Sequence, residues 1–261
     1  MTALGRPALT SASVANPARR SDGRPRRVLY AEDQVSSRIV TKAMLEKMGF
    51  VVDAVDDGEV AVEMAKAGTY DIILLDIEMP VMDGVTAART IRSELSAYGK
   101  TPILALSAFL ADSTENCPWR DAFDTAVPKP ATSGELQRAI VRALEKHGEA
   151  FSGAGDLVAD AFASPWQSLR KTMPRGARVL MVTAAAGEMQ HVALAIAAAA
   201  EAGENEQLRV CRHSLKGLAL NFGMSELAAA IVATSGKPQS LDILQIFSMI
   251  GEWRDKNSQL N

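Results

Sequence analysis

The chain has 261 residues, 48% apolar and 23% charged, with a net charge of −3 at pH 7. That length exceeds one typical domain and favours two cores, and so small a net charge excludes a global electrostatic attraction to nucleic acid or an anionic membrane. The two cysteines, Cys117 and Cys211, fall in separate helical-looking segments, which excludes a disulfide framework and fits a reducing, cytoplasmic setting.

Residues 1–25 are Ala, Ser, Pro, Gly and Arg without periodicity, so they are expected to be a disordered basic extension, with no apolar signal core. From 26 to 147, short aliphatic runs at 27–31, 50–55, 71–75 and 102–106, with Val127 in a fifth, alternate with segments of helical spacing. This predicts a doubly wound, five-stranded parallel sheet with helices on both faces, closed by a helix over 133–147 with Ser133 as N-cap. Residues 148–164 read as a linker, a flexible coil of roughly 20–25 Å that lets two domains touch.

Residues 165–261 are expected to form an all-α four-helix bundle. Met189, Val192 and Ile196 share one face, as do Leu208, Cys211, Leu215, Leu218 and Phe222. A short helix follows from Ser225, and a last one from near Ser240 with Ile243, Ile250 and Trp253 on one side. Residues 166–186 have no clear pattern. The most apolar run, 179–200, is interrupted by Glu188, Gln190 and His191, so no membrane insertion is expected.

In parallel α/β sheets, ligands sit at the carboxyl ends of the strands. Glu32 and Asp33 follow the first strand there, Asp76 the third, Ser107 the fourth and Lys129 the fifth. Converging carboxylates raise one another's pKa, and an oxygen-only set that needs neutralising favours Mg²⁺ over zinc. Asp56, Asp57 and Asp71 are assigned to structural roles.

The stretches Leu-Asp-Ile-Glu-Met-Pro-Val-Met-Asp-Gly (75–84) and Val-Pro-Lys-Pro (127–130) resemble the response-regulator receiver family, with the flavodoxin-like fold this implies over about 27–147. The resemblance implies that Asp76 is the phosphorylated nucleophile. It also implies that Asp33, Asp76 and the Glu78 carbonyl hold Mg²⁺, with Glu32 assisting, and that Lys129 and Ser107 meet phosphoryl oxygens. Two residues depart from the family: Ala126 stands where an aromatic switch residue is usual, and Pro118 falls in the expected fourth helix. Both alter the usual output face, which suggests a receiver that hands phosphate on.

His213 lies about 200° from Cys211 around its helix, and is therefore expected to point to water. Lys216 and Gly217 follow one turn on, and Arg209 precedes by one turn. A glycine in a helix interior costs about 1 kcal/mol, which suggests that it makes room for another protein's active site. His213-Ser214-Leu215-Lys216-Gly217, followed by Asn221-Phe222-Gly223, resembles histidine-phosphotransfer domains. On that pattern His213 carries the phosphoryl group and Lys216 assists electrostatically; His147 and His191 are structural.

Together the two resemblances imply a phosphorelay protein, not an enzyme that turns over a substrate. No Walker loop, kinase ATP-binding motif or DNA-binding output is found in the sequence. Its expected partners are a sensor histidine kinase and a separate response regulator or phosphotransfer protein, with no nucleic acid. Either direction of flow between Asp76 and His213 is compatible. The alternatives are a docking scaffold that regulates a kinase without transferring phosphate and, more weakly, a basic tail acting as a nucleic-acid arm.

Overall fold

Strands that read as unbroken aliphatic runs must be covered on both faces, and the computed structural model, which describes residues 16–107, 120–149, 164–233 and 243–259, covers them. The strands are β1 (Arg27–Ala31), β2 (Val51–Val55), β3 (Ile72–Asp76), β4 (Ile103–Ser107) and β5 (Thr125–Pro128). They form one parallel sheet in the order β2-β1-β3-β4-β5. Every residue of β3 and β4 is buried. Helices α1 (Val35–Lys47), α2 (Gly58–Ala67), α3 (Gly84–Glu94) and α4 (Ser133–Lys146) flank the sheet.

This order puts the topological switch point between β1 and β3, where a crevice opens at the strands' carboxyl ends. Asp76 and Ser107 prove to be the last residues of their strands. Thr132, not Ser133, caps α4, in a reciprocal capping box with Glu135.

The N-terminal expectation needs a larger correction. Residues 16–26 are held against the sheet: Ala18 is fully buried, Arg19 bridges Pro25, and Arg20 pairs with Asp71 at 2.7 Å. Arg24 pairs with Asp22 and Arg26 with Glu149, so the basic stretch is largely neutralised within the chain.

Five helices follow among the described residues: α5 (Pro165–Arg170), α6 (Arg175–Ala202), α7 (Asn205–Asn221), α8 (Ser225–Ala233) and α9 (Ile243–Ser258). The illegible stretch is thus helical. Gly203, at φ 71°, closes α6 in the left-handed conformation that glycine adopts freely. Helix α6 packs on α7 and α9, and α7 packs on α8. The expected α7 stripe, Leu208 to Phe222, is buried. Phe222 packs between Trp166, tilted at 45°, and Trp253, edge-to-face, with ring centroids 5.7 and 5.5 Å away.

Contrary to expectation, α6 is long and apolar enough, by length and composition, to cross a membrane. Its apolar residues Met181, Val182, Met189 and Ile196 are instead buried against neighbouring helices. One continuous apolar cluster runs from the α1/α4 face of the sheet into these helices, and α1 touches α5, α6 and α7. A second cluster fills the α2/α3 face. The helical half is therefore seated on α1. Pro118, Cys117 and most of the expected linker lie outside the described residues.

Candidate functional site

Turn chemistry holds the carboxylates in place. The β3–α3 turn brings Gly84 so close to β3 that a Cβ on it would lie 1.9 Å from the Asp76 carbonyl oxygen. Asp83 caps α3 by accepting from the Thr86 N–H at 2.7 Å, and Asp57 likewise caps α2, the structural role assigned to it. Asp71 accepts from the Arg27 N–H at 2.8 Å, so it too is structural.

At the switch point, ligand oxygens of Glu32, Asp33 and Asp76 lie within 4.8 Å of one another. Lys129 donates to Asp76 Oδ2 at 2.6 Å, and its Nζ is also 2.6 Å from Glu32 Oε2. Glu32 is almost fully buried and also accepts from the Tyr30 hydroxyl at 3.1 Å. Ser107 is buried beside them, and its carbonyl accepts from the Lys129 N–H at 2.8 Å.

One lysine against three carboxylates leaves the cluster short of positive charge. Burial, followed by the charge of Asp76, pushes Asp33 up to about 6 despite Lys129. Burial likewise raises Glu32, with Lys129 opposing. Burial works against the Lys129 ammonium, but Asp76 and Glu32 outweigh it and raise its pKa. Hard oxygen donors so close and under-neutralised suit a divalent cation such as Mg²⁺.

His213 is half-buried and faces the crevice of the sheet. It shares a cavity of about 610 Å³ with Asp33, Asp76, Glu78, Ser107 and Lys129. The helical half covers the mouth of the sheet's crevice, and α7 presents Arg209, His213, Gly217 and Asn221, every fourth residue, to that cavity. Burial, then the positive charge of Lys129, lowers His213 to about 4, so its imidazole is neutral at physiological pH.

Lys216 acts on His213 through its charge without being among the residues that line the cavity, whereas Arg209 lines it and lies 3.8 Å from Glu78. A Cβ on Gly217 would meet nothing within 4 Å, so no close approach within this chain requires a glycine there. His147 lies 2.9 Å from Asp124, a structural position, and Cys211 is a buried free thiol.

Sequence reasoning missed the contacts that join the two halves. Asn221 Nδ2 donates to Ser37 Oγ at 2.9 Å, and Glu188 Oε2 accepts from the Ser36 backbone N–H at 3.1 Å. These are isolated polar residues, and neither spacing nor motif points to their partners.

Residues 28–141 match the family model described as response regulator receiver domain, which ends before the helical half. The chain is 36% identical over 136 residues to transcriptional regulatory protein PdtaR of Mycobacterium tuberculosis, covering 51% of this chain and 63% of that protein. It is 34% identical over 114 residues to aerobic respiration control sensor protein ArcB of Escherichia coli, covering 42% of this chain and 15% of that protein. The chain thus spans less than two thirds of either relative. Among solved structures, the receiver domain of sensor histidine kinase PA1611 from Pseudomonas aeruginosa, with a magnesium ion coordinated in its active site cleft, is 37% identical. That likeness covers 46% of this chain and 98% of that one, at a TM-score of 0.42.

Proposed function

We propose a function from one premise: residues 28–141 are a response regulator receiver domain, the part of a two-component system that accepts a phosphoryl group on an aspartate. On this reading Asp76 takes the group, and the chain passes it between Asp76 and His213 of its own helical half, which acts as a histidine-phosphotransfer bundle. The observation that carries the reading is that Asp76 and His213 line one cavity.

The residues present fit Mg²⁺, with Asp33, Asp76 and the Glu78 carbonyl as its holders and Glu32 behind them. When bound, the ion supplies positive charge for the phosphoryl oxygens. Lys129 already meets Asp76 Oδ2 and is placed to neutralise the carboxylate as it gains or loses the group. The Ser107 hydroxyl is assigned as a donor to a phosphoryl oxygen.

In the forward step the unprotonated nitrogen of the His213 imidazole attacks phosphorus and a new N–P bond forms. The bond from phosphorus to the Asp76 oxygen breaks, and the Asp76 carboxylate leaves as an anion beside Lys129. The other imidazole nitrogen keeps its proton. A neutral His213 is the form this step requires, and its lowered pKa supplies it. Arg209, one turn before His213 and at the same cavity, joins Lys216 in the electrostatic role.

The chemistry is a single hand-over, with a sensor histidine kinase and a further response regulator or phosphotransfer protein at its two ends. Incubation with Mg²⁺ and acetyl phosphate tests it. Base-labile phosphate on Asp76 should appear first, followed by acid-labile phosphate on His213, and Asp76→Ala should abolish both. Label on His213 at an undiminished rate in Asp76→Ala would overturn the forward route, and label confined to Asp76 in the wild type would leave the helical half as a docking module.

A further inference from the structure

Apolar packing is non-directional and does not by itself decide how far along its axis one helix lies over another surface. Helix α7 carries its histidine in a stripe that is tied at both ends. Near its start, Arg209 reaches Glu78 on the β3–α3 turn at 3.8 Å. At its end, Asn221 donates to Ser37 Oγ at 2.9 Å, and the Ser37 hydroxyl donates in turn to Gln34 Oε1 at 3.2 Å. His213 lies between the two ties. Asn221 and Ser37 are both buried, so a slip that parts them strands polar groups away from water.

A second tie comes from α6. The N-cap residue of α1, Gln34, makes no capping bond to its own helix. The N–H of Ser36, one of the donors that a helix start leaves without an intrahelical partner, is satisfied by Glu188 of the helical half at 3.1 Å. A carboxylate there also meets the positive end of the α1 dipole. That helix begins two residues after Asp33, so its cap and the acidic site share one turn of chain. A one-turn slip of α7, about 5.4 Å, would take Asn221 out of reach of Ser37 and carry His213 off the mouth of the site.

We infer that Asn221 and Glu188 are positioning residues that fix the register in which α7 crosses the receiver, Asn221 through Ser37 and Glu188 by capping α1 from the other half of the chain. The inference rests on the reading that phosphate passes between Asp76 and His213. Asn221 lines the cavity, but its bond goes to Ser37 and that of Glu188 to Ser36; in these roles they decide where His213 stands.

The test uses the full chain, loaded on Asp76 with acetyl phosphate and desalted, so that only the subsequent transfer to His213 is timed. Asn221→Ala and Ser37→Ala should each slow transfer about tenfold or more, and the double variant should be no slower than the worse single one, because both remove one bond. Glu188→Ala should slow it similarly, while Glu188→Gln, whose amide oxygen still accepts, should restore it to within about threefold. Wild-type transfer rates in the single variants, losses that multiply in the double, or no rescue by Glu188→Gln would overturn the inference.

Hydrogen exchange at the Ser36 amide reads the α1 cap without any phosphate, and it should quicken in Glu188→Ala and recover in Glu188→Gln. If the wild type puts no phosphate on His213, the underlying reading fails. Exchange that is unchanged in Glu188→Ala refutes the cap itself.

Discussion

Asp33 is where the electrostatics of the site become measurable. Burial and the neighbouring Asp76 push it up to about 6, against about 4 for an unperturbed aspartate. Because its folded-state pKa is raised, in metal-free protein this group favours the fold fully only below about pH 4, and that contribution is lost as pH rises through 6. A divalent cation binds the ionised form and reverses the loss. Mg²⁺ should therefore raise Tm more at about pH 7.5 than at about pH 5, as thermal melts would read; an equal or larger rise at the lower pH would contradict it. Gly217 gives a second test at this scale. Open space surrounds it within the chain, so Gly217→Ala should stabilise the chain by up to about 1 kcal/mol and leave transfer from Asp76 to His213 intact. A fall in Tm, or loss of that transfer, would show that the glycine is needed inside the chain.

Among the elements, β1, β3 and β4 were legible because strands buried on both faces must be aliphatic throughout, and their last residues carry chemistry because the sheet opens there. The stripes of α7 and α9 were legible through their period. The path of residues 166–186 was not, since Pro165–Arg170 is a short helix held by burial of Trp166 and not by any repeat of its own. The packing of residues 16–26 was equally hidden: only the fold brings Asp71 and Glu149 to the arginines that they neutralise. The β3–α3 turn depends on Gly84 for space alone. A methyl there overlaps the Asp76 carbonyl, so Gly84→Ala should cost roughly 1–3 kcal/mol of stability and weaken Mg²⁺ binding by shifting Asp76. Denaturant melts and metal titration check it, and wild-type values in both would show that the turn yields freely.

For the molecule as a whole, the two chemical constellations could be read separately in the sequence, but their meeting could not. It depends on α1 serving as common ground: part of the sheet's cover on one side, and the seat of α5, α6 and α7 on the other. The two hydrogen bonds that join the halves through Ser36 and Ser37 link residues more than 150 positions apart in sequence, where no spacing argument reaches. On the proposed function, phosphate passes between Asp76 and His213 of one chain. The most direct measurement compares His213 labelling by acetyl phosphate and Mg²⁺ in the wild type with that in a mixture of Asp76→Ala and His213→Ala chains, across a range of protein concentration. The expected result is a wild-type rate of labelling that does not depend on concentration, and a mixture in which the intact His213 stays essentially unlabelled. Labelling in the mixture at the wild-type rate, rising with concentration, would show that the group moves between chains and would contradict the claim.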